Sequence, residues 1–397
     1  MDPLAFAASP FGRVIRTRTG YDAYLPDPLP ASIEWSSGTV VALERAALLL
    51  GGLNERLESE AHGYRSLLLA RDAAAAARSE GMQLTLTDYV AAVATDALYG
   101  TGLRLARNYA ETLKYAHGRL EELPLSLRLL RELHRLLLEG VADPRTTPGR
   151  FRTSQNWIGA PGCTLSDADF VPPPPSEMGR SLNDWERYLH TANGMPGLAL
   201  LALTQYQYLV IHPFLAMNVL NGALIASVTL QHLGLAPQPL PVFGRFLELG
   251  GKSLEPRLLD VCARGRLEEW LEWYLHGFAD AALETLECSR RLGVVHREQH
   301  QRLGVHGPAD ALGLLDLLFE LPAVTIDSAA QAAQLTATEA ARSIATLESL
   351  GLVTRTPTPN GEVFLATEII AELDARPGII SDIAYGRLWR WRSAATQ

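Results

Sequence analysis

Apolar and polar positions recur with a helical period over most of this chain. From 37 to 118, apolar and alanine-rich stripes repeat at three- and four-residue spacing and predict several antiparallel helices. Leu123-Pro124-Leu125 interrupts the pattern, and Ser126 stands where it can cap a further helix running to Glu139. Between 140 and 180 turn residues take over, with Pro148-Gly149-Arg150-Phe151-Arg152 early and Val171-Pro172-Pro173-Pro174-Pro175 late. Within that stretch, Gln155-Asn156-Trp157-Ile158-Gly159 predicts a short hairpin. The helical pattern resumes from Ser181 to about Leu235, broken at Pro196 and at His212. Leu267 to Thr285 is a further amphipathic helix carrying Trp270, Trp273, Tyr274 and Phe278, a stripe that more often forms core than a ligand cage. Residues 1–32, punctuated by proline and glycine, read as an extended arm centred on Tyr21 to Pro30.

The C-terminal end has its own pattern. An apolar helix at Ala309 to Leu321 precedes a helix-turn-helix arrangement, Ser328 to Gln334 and Thr336 to Gly351. Thr354 to Leu365, with Pro359-Asn360-Gly361 at its tip, predicts a two-stranded wing. A DNA reader would place basic and amide side chains on the second helix. That helix offers Arg342 against Glu339 and Glu348, which favours a packing or dimerisation module and leaves nucleic-acid binding weak at most. Arg355 and the tail Arg387 to Arg392 add some positive charge. The pattern thus divides the chain into an N-terminal arm and helical region at 1–118, a helical core at 119–285, and a winged-helix-like module with its tail at 300–397.

Composition narrows the class. A chain of 397 residues, 47% hydrophobic and 20% charged, can bury more than one core. A net charge of −9 gives no global attraction to nucleic acid. Cys163, Cys262 and Cys288 are scattered and odd in number, which fits a reducing compartment. Met1-Asp2-Pro3 lacks the basic start of a signal peptide, and the most apolar stretch, Gly197 to Ile211, is broken by Thr204, Gln205 and Gln207. A cytoplasmic protein with no membrane partner is expected. No Gly-x-Ser-x-Gly, phosphate-binding Walker loop, HExxH or zinc-spaced Cys/His set is evident, and no metal is assigned. His190, His232 and His276 read as ordinary surface or core histidines.

The densest candidate chemistry lies at His212-Pro213-Phe214-Leu215-Ala216-Met217-Asn218, a loop leading into a helix. A helix N-terminus holds phosphate tightly when glycines let the backbone curl around the anion and Arg or Lys neutralises it. Here Met217 and Val219 take the close-approach positions, Ala216 cannot bind a metal, and Leu220 and Ala223 cannot pair with an anion. The loop therefore predicts an apolar pocket formed by Phe214, Met217, Val219, Leu220 and Ala223, with His212 and Asn218 as its polar points.

These segments together resemble Fic-domain (Fido) proteins of the long kind with a C-terminal winged helix. The likeness rests on Tyr21 to Pro30, Leu123 to Ser126, Pro148 to Gly159, Val171 to Pro175 and His212-Pro213-Phe214. It implies an all-α fold, a Fic/Fido helical core with a small β-hairpin flap. In that family the loop reads His-Pro-Phe-x-Asp/Glu-Gly-Asn-Gly-Arg-x-x-Arg. Its histidine takes the proton from a target Ser, Thr or Tyr hydroxyl, which attacks the α-phosphate of ATP. Position by position, His212 matches the base and Asn218 the loop asparagine. The magnesium carboxylate falls on Ala216, the two glycines on Met217 and Val219, and the two arginines on Leu220 and Ala223. At ~1.5–3 kcal/mol per charge-assisted contact, losing the arginines alone costs about 10²- to 10⁴-fold. ATP with magnesium is therefore not expected as a cofactor.

The resemblance also implies an inhibitory helix, Ser/Thr-x-x-x-Glu-Gly, matched by Ala76 to Gly81. Glu80 is the regulatory candidate there, yet its partner arginine falls on Ala223. Glu80 is then either a solvated helix residue or free to pair with Arg78 or His212. The flap, Gln155, Asn156 and Trp157, is implied to bind an extended peptide by strand addition; Arg150, Arg152 and Trp157 can equally brace the helices. Three functions stay open. One is a binding or regulatory pseudoenzyme, with a peptide or protein at the flap and possible homodimerisation. Another is a repurposed enzyme using His212 as general base on a small, largely apolar ligand. The third is a residual adenylyltransferase, with Arg245 or Lys252 compensating from downstream.

Overall fold

A computed structural model describes residues 1–59, 63–141, 146–191, 194–304 and 308–375. The predicted basic tail at Arg387 to Arg392 lies outside them. In chain order the elements are β1 (Gly12–Arg16), β2 (Asp22–Pro26), α1 (Ser37–Ser59), α2 (Gly63–Ser79), α3 (Leu86–Ala94), α4 (Thr101–Glu122), α5 (Leu127–Leu137), α6 (Pro175–Thr191) and α7 (Gly197–Ile211). They continue with α8 (Asn218–His232), α9 (Phe243–Arg264), α10 (Leu267–Leu303), α11 (Ala309–Leu318), β3 (Ala323–Val324), α12 (Ile326–Ala333), α13 (Ala337–Ser349), β4 (Thr354–Thr358), β5 (Gly361–Leu365) and α14 (Thr367–Asp374). Among the described residues the fold is helical with two small sheets. No helix among the described residues is long and apolar enough to cross a membrane.

The chain divides into two compact units, 1–50 with 108–279 and 51–107 with 280–397. In the first, α7 and α8 form an almost wholly buried helical pair, which explains why both are apolar all round rather than striped. Around this pair, Trp185 of α6 donates its indole N–H to the Thr204 carbonyl at 2.9 Å, and Trp270 of α10 donates to Ala202 at 2.8 Å. Ser126 caps α5 as its position predicts, its hydroxyl accepting from Leu129 N–H. Pro175 opens α6, where its missing N–H costs nothing.

Residues 12–26 are not an extended arm but an antiparallel hairpin, with Val14 paired to Tyr24. Its inner strand is buried, and the Tyr24 ring packs between Phe6 and Phe170 at centroid distances of 5.8 and 5.5 Å. Gly12 permits the closeness, since a Cβ there would sit 2.5 Å from the Tyr24 ring. The Tyr24 N–H also donates to the Val171 carbonyl at 2.8 Å, tying the hairpin to the proline run.

In the second unit, α12 and α13 each begin with a reciprocal capping box, at Thr325/Ser328 and Thr336/Glu339. They pack beside a three-stranded sheet of order β3-β5-β4, in which β4 and β5 form the predicted hairpin turning at Pro359-Asn360.

Candidate functional site

The loop between α7 and α8 is held in a tight double turn. His212 at φ 49° and Met217 at φ 56° both adopt the left-handed region. For residues other than glycine this costs roughly 1–2 kcal/mol each, so neighbouring groups must hold the loop. Asn218 does so from inside. Its Oδ1 accepts the Phe214 N–H at 2.9 Å and its Nδ2 donates to the Phe214 carbonyl at 2.8 Å. The residue is 2% exposed, so its amide is committed to the loop backbone.

Arg152 and Asn156 hold the loop from outside. The Arg152 guanidinium donates to the carbonyls of His212 at 2.9 Å, Pro173 at 2.5 Å and Ile211 at 3.3 Å, while its N–H donates to Pro213. Burial lowers its pKa to about 10, which leaves it charged at neutral pH. Asn156 Nδ2 donates to the carbonyls of His212 and Phe214. Gln155 ties the same segment to Pro172 through Nε2 and accepts from the Tyr21 hydroxyl through Oε1.

The predicted hairpin at 155–159 is reduced to a single antiparallel bridge, Ile158 to Phe170. Pro172 to Pro175 lack the N–H groups a longer ladder would need. Trp157 is half-exposed and donates its indole N–H to the Cys163 carbonyl.

The sequence pattern does not single out His134, yet it is central to the loop. Its ring stacks on Phe214 at 3.7 Å and 5°. Nδ1 accepts the Gly149 N–H at 3.0 Å, so the proton sits on Nε2, which donates to the Ala216 carbonyl at 3.1 Å. Its nearest sequence signal is the basic last turn of α5, which names no loop partner.

His212 itself is half-buried. Its Nδ1 donates to the Leu209 carbonyl at 3.3 Å, which leaves the Nε2 lone pair free. Burial foremost, with Arg152 adding to it, lowers its pKa to about 4; burial does the same for His134. Both rings are neutral at pH 7.

These shifts fix a pH dependence. Each histidine binds its proton less well folded than unfolded, where the pKa is about 6.5. The stabilisation is full above that value and is lost as pH falls toward 4. His134 alone contributes up to roughly 3 kcal/mol across this window. Denaturant midpoints followed by tryptophan fluorescence should therefore fall between about pH 7 and pH 5, less steeply in His134→Gln. A flat profile in the unaltered chain would contradict the assignment.

Two of the five predicted pocket residues share a described cavity. Val219 and Ala223 line a small cavity with Gln205, Leu209, Phe243 and Tyr274. At about 10 Å³ it holds roughly one water molecule. Phe214 lies beneath His134, Leu220 is fully buried in the core, and Met217 forms the turn. Neither His212 nor Asn218 lines the cavity. Arg245 is buried and paired with Glu248, while Lys252 is exposed. Glu80 follows α2 in the second unit, half-buried with its pKa raised by burial, and Gly81 beyond it takes φ 80°.

Residues 124–230, which include α7 and the loop to α8, match the model of the Fic/DOC family. The chain is similar to the protein adenylyltransferase Fic of Drosophila grimshawi, at 29% identity over 179 residues. The match takes in 42% of this chain and 34% of that protein. The counterpart from Drosophila ananassae is 28% identical over the same length. The chain thus spans about a third of the length of these curated relatives. Its fold is similar to that of a Fic family protein from Desulfovibrio desulfuricans G20, with a TM-score of 0.55 and 18% identity. That likeness covers 84% of this chain and 97% of the other.

Proposed function

We propose that this chain is a Fic-type pseudoenzyme, a binding or regulatory protein that does not transfer AMP efficiently. One observation carries the proposal. The positions matching the family's two arginines are Leu220 and Ala223, 0% and 5% exposed, one in the core and the other on a cavity the size of one water. No cation at either position can neutralise a triphosphate, and Ala216 offers no oxygen for magnesium except its carbonyl, which His134 uses.

The loop's polar groups support the same conclusion. Asn218, Asn156 and Arg152 spend their donors on backbone carbonyls. What persists is a braced loop with the half-exposed Trp157 next in the chain to Asn156, which bonds the loop carbonyls, a surface suited to holding an extended peptide. The C-terminal order helix, strand, two helices, two strands supports a winged helix in the second unit.

The test is a melting-temperature measurement on the full chain with millimolar ATP and magnesium. A site at one-hundredth of that concentration in Kd would add about 2.7 kcal/mol; no shift is expected. Incubation with ATP labelled at the α-phosphate, followed by the appearance of labelled protein, would overturn the proposal.

One observation favours a second reading. The His212 tautomer leaves Nε2 free to accept a proton, which suits a general base on a weakly polar substrate. Its pKa of about 4 makes it a weak base, so this is the lesser reading. If His212→Ala abolishes a turnover that the unaltered chain performs, the pseudoenzyme proposal fails.

A further inference from the structure

We propose that His296, His300 and Asp316 form a divalent transition-metal site, with zinc the best-suited ion. The site lies wholly in the second unit and is independent of the loop at His212. His296 and His300 stand four residues apart on α10, hence on one face of the helix, and Asp316 reaches them from α11.

Three ligand atoms already converge. Asp316 Oδ1 is 2.9 Å from His296 Nε2 and 2.6 Å from His300 Nε2, and the two nitrogens are 3.1 Å apart. Tetrahedral zinc with bonds of roughly 2.0–2.1 Å separates its ligand atoms by about 3.3 Å. Opening these separations by about 0.2–0.7 Å admits the ion.

The His296 ring is also held from behind. Its Nδ1 lies 2.9 Å from the Tyr64 hydroxyl, and its face stacks on Phe319 at 4.1 Å. When Nδ1 donates to that hydroxyl, the Nε2 lone pair faces the ion, as an outer partner typically arranges for a ligating histidine. Two neutral imidazoles and one carboxylate match the His₂-carboxylate donor set of zinc sites, with a fourth position open to solvent because Asp316 is 56% exposed. Binding uses the lone pair of each Nε2, so each neutral imidazole carries its proton on Nδ1.

The residue after His296 is Arg297, where hydrolytic zinc helices carry a glutamate base. The site is therefore a tie between α10 and α11 rather than a catalytic centre.

The decisive experiment is zinc titration of the metal-stripped full-length chain by calorimetry, with circular dichroism to check each variant's fold. Uptake of about one equivalent is expected, with affinity falling at least about 100-fold in His300→Ala and Asp316→Asn. Tyr64→Phe should weaken it by about 10- to 100-fold, as expected for a positioning residue. Asp316 is exposed, so its substitution tests the site even if His300→Ala misfolds. Absence of stoichiometric uptake, or uptake unchanged in Asp316→Asn, would show only a hydrogen-bonded His-Asp-His cluster and overturn the proposal.

Discussion

Arg152→Ala should lower the stability of the first unit by roughly 3–6 kcal/mol, a large share of a typical folding free energy. The guanidinium is 2% exposed and bonds the carbonyls of His212, Pro173 and Ile211, with a longer contact to Ser154. Each such bond from a charged donor is worth about 1.5–3 kcal/mol, and its removal leaves a buried acceptor without a partner. The loss then spreads to His212 and Met217, whose left-handed backbones rely on these anchors. Arg152→Lys should recover less than half of the loss, because one ammonium cannot reach carbonyls spread over three chain segments. Urea unfolding followed by tryptophan fluorescence measures both variants. A loss below about 1 kcal/mol in Arg152→Ala would mean that the carbonyls find other donors.

Arg152 also shows where reading the sequence succeeds and where it stops. Pro148 to Gly159 is recognisable by its residues, and bracing by Arg152 is one of the two roles those residues allow. Which carbonyls it braces depends on Pro173 and Ile211 arriving from distant segments. The helical core was legible because its elements carry local signals. Ser126 caps α5, Pro196 precedes α7, and His212-Pro213-Phe214 marks the turn into α8.

The hairpin at 12–26 is not legible in the pattern because its strands span five residues each and the prolines after Leu25 resemble an extended arm. His134 escapes the pattern for another reason. Its role exists only once Phe214, Gly149 and Ala216 surround the ring. His296 and His300 did carry a local signal, two histidines four residues apart on an amphipathic helix, which a search for cysteine-rich or HExxH spacing passes over. The apolar character of Val219, Leu220 and Ala223 was plain from sequence, but their dispersal between cavity and core was not. Side-chain identity fixes which groups a helix carries. Which of them meet depends on neighbours that the linear pattern does not name.

That dispersal makes Ala223→Arg the sharpest test of how far the site has closed. An arginine here would restore the residue that the family resemblance implies at this position. In this chain, however, Ala223 borders a cavity of about 10 Å³ walled by Phe243, Phe246, Leu247 and Leu254. Forcing extra side-chain atoms into a packed core typically costs 1–3 kcal/mol. Burying a guanidinium without a carboxylate or phosphate partner adds several more. The variant should therefore lose at least about 4 kcal/mol and gain no ATP-dependent shift in melting temperature. Ala223→Ser separates size and charge from mere replacement, since it adds one small polar atom beside a space that admits a water. It should stay within about 2 kcal/mol of the unaltered chain. Should Ala223→Arg instead fold normally and respond to ATP, the helices would have to part readily. The apolar wall would then be a thin cover over an intact nucleotide site. An unstable variant with no ATP response means that the substitutions at Leu220 and Ala223 have become part of the core, and that recovering nucleotide binding would require rebuilding the packing of α8 against α9.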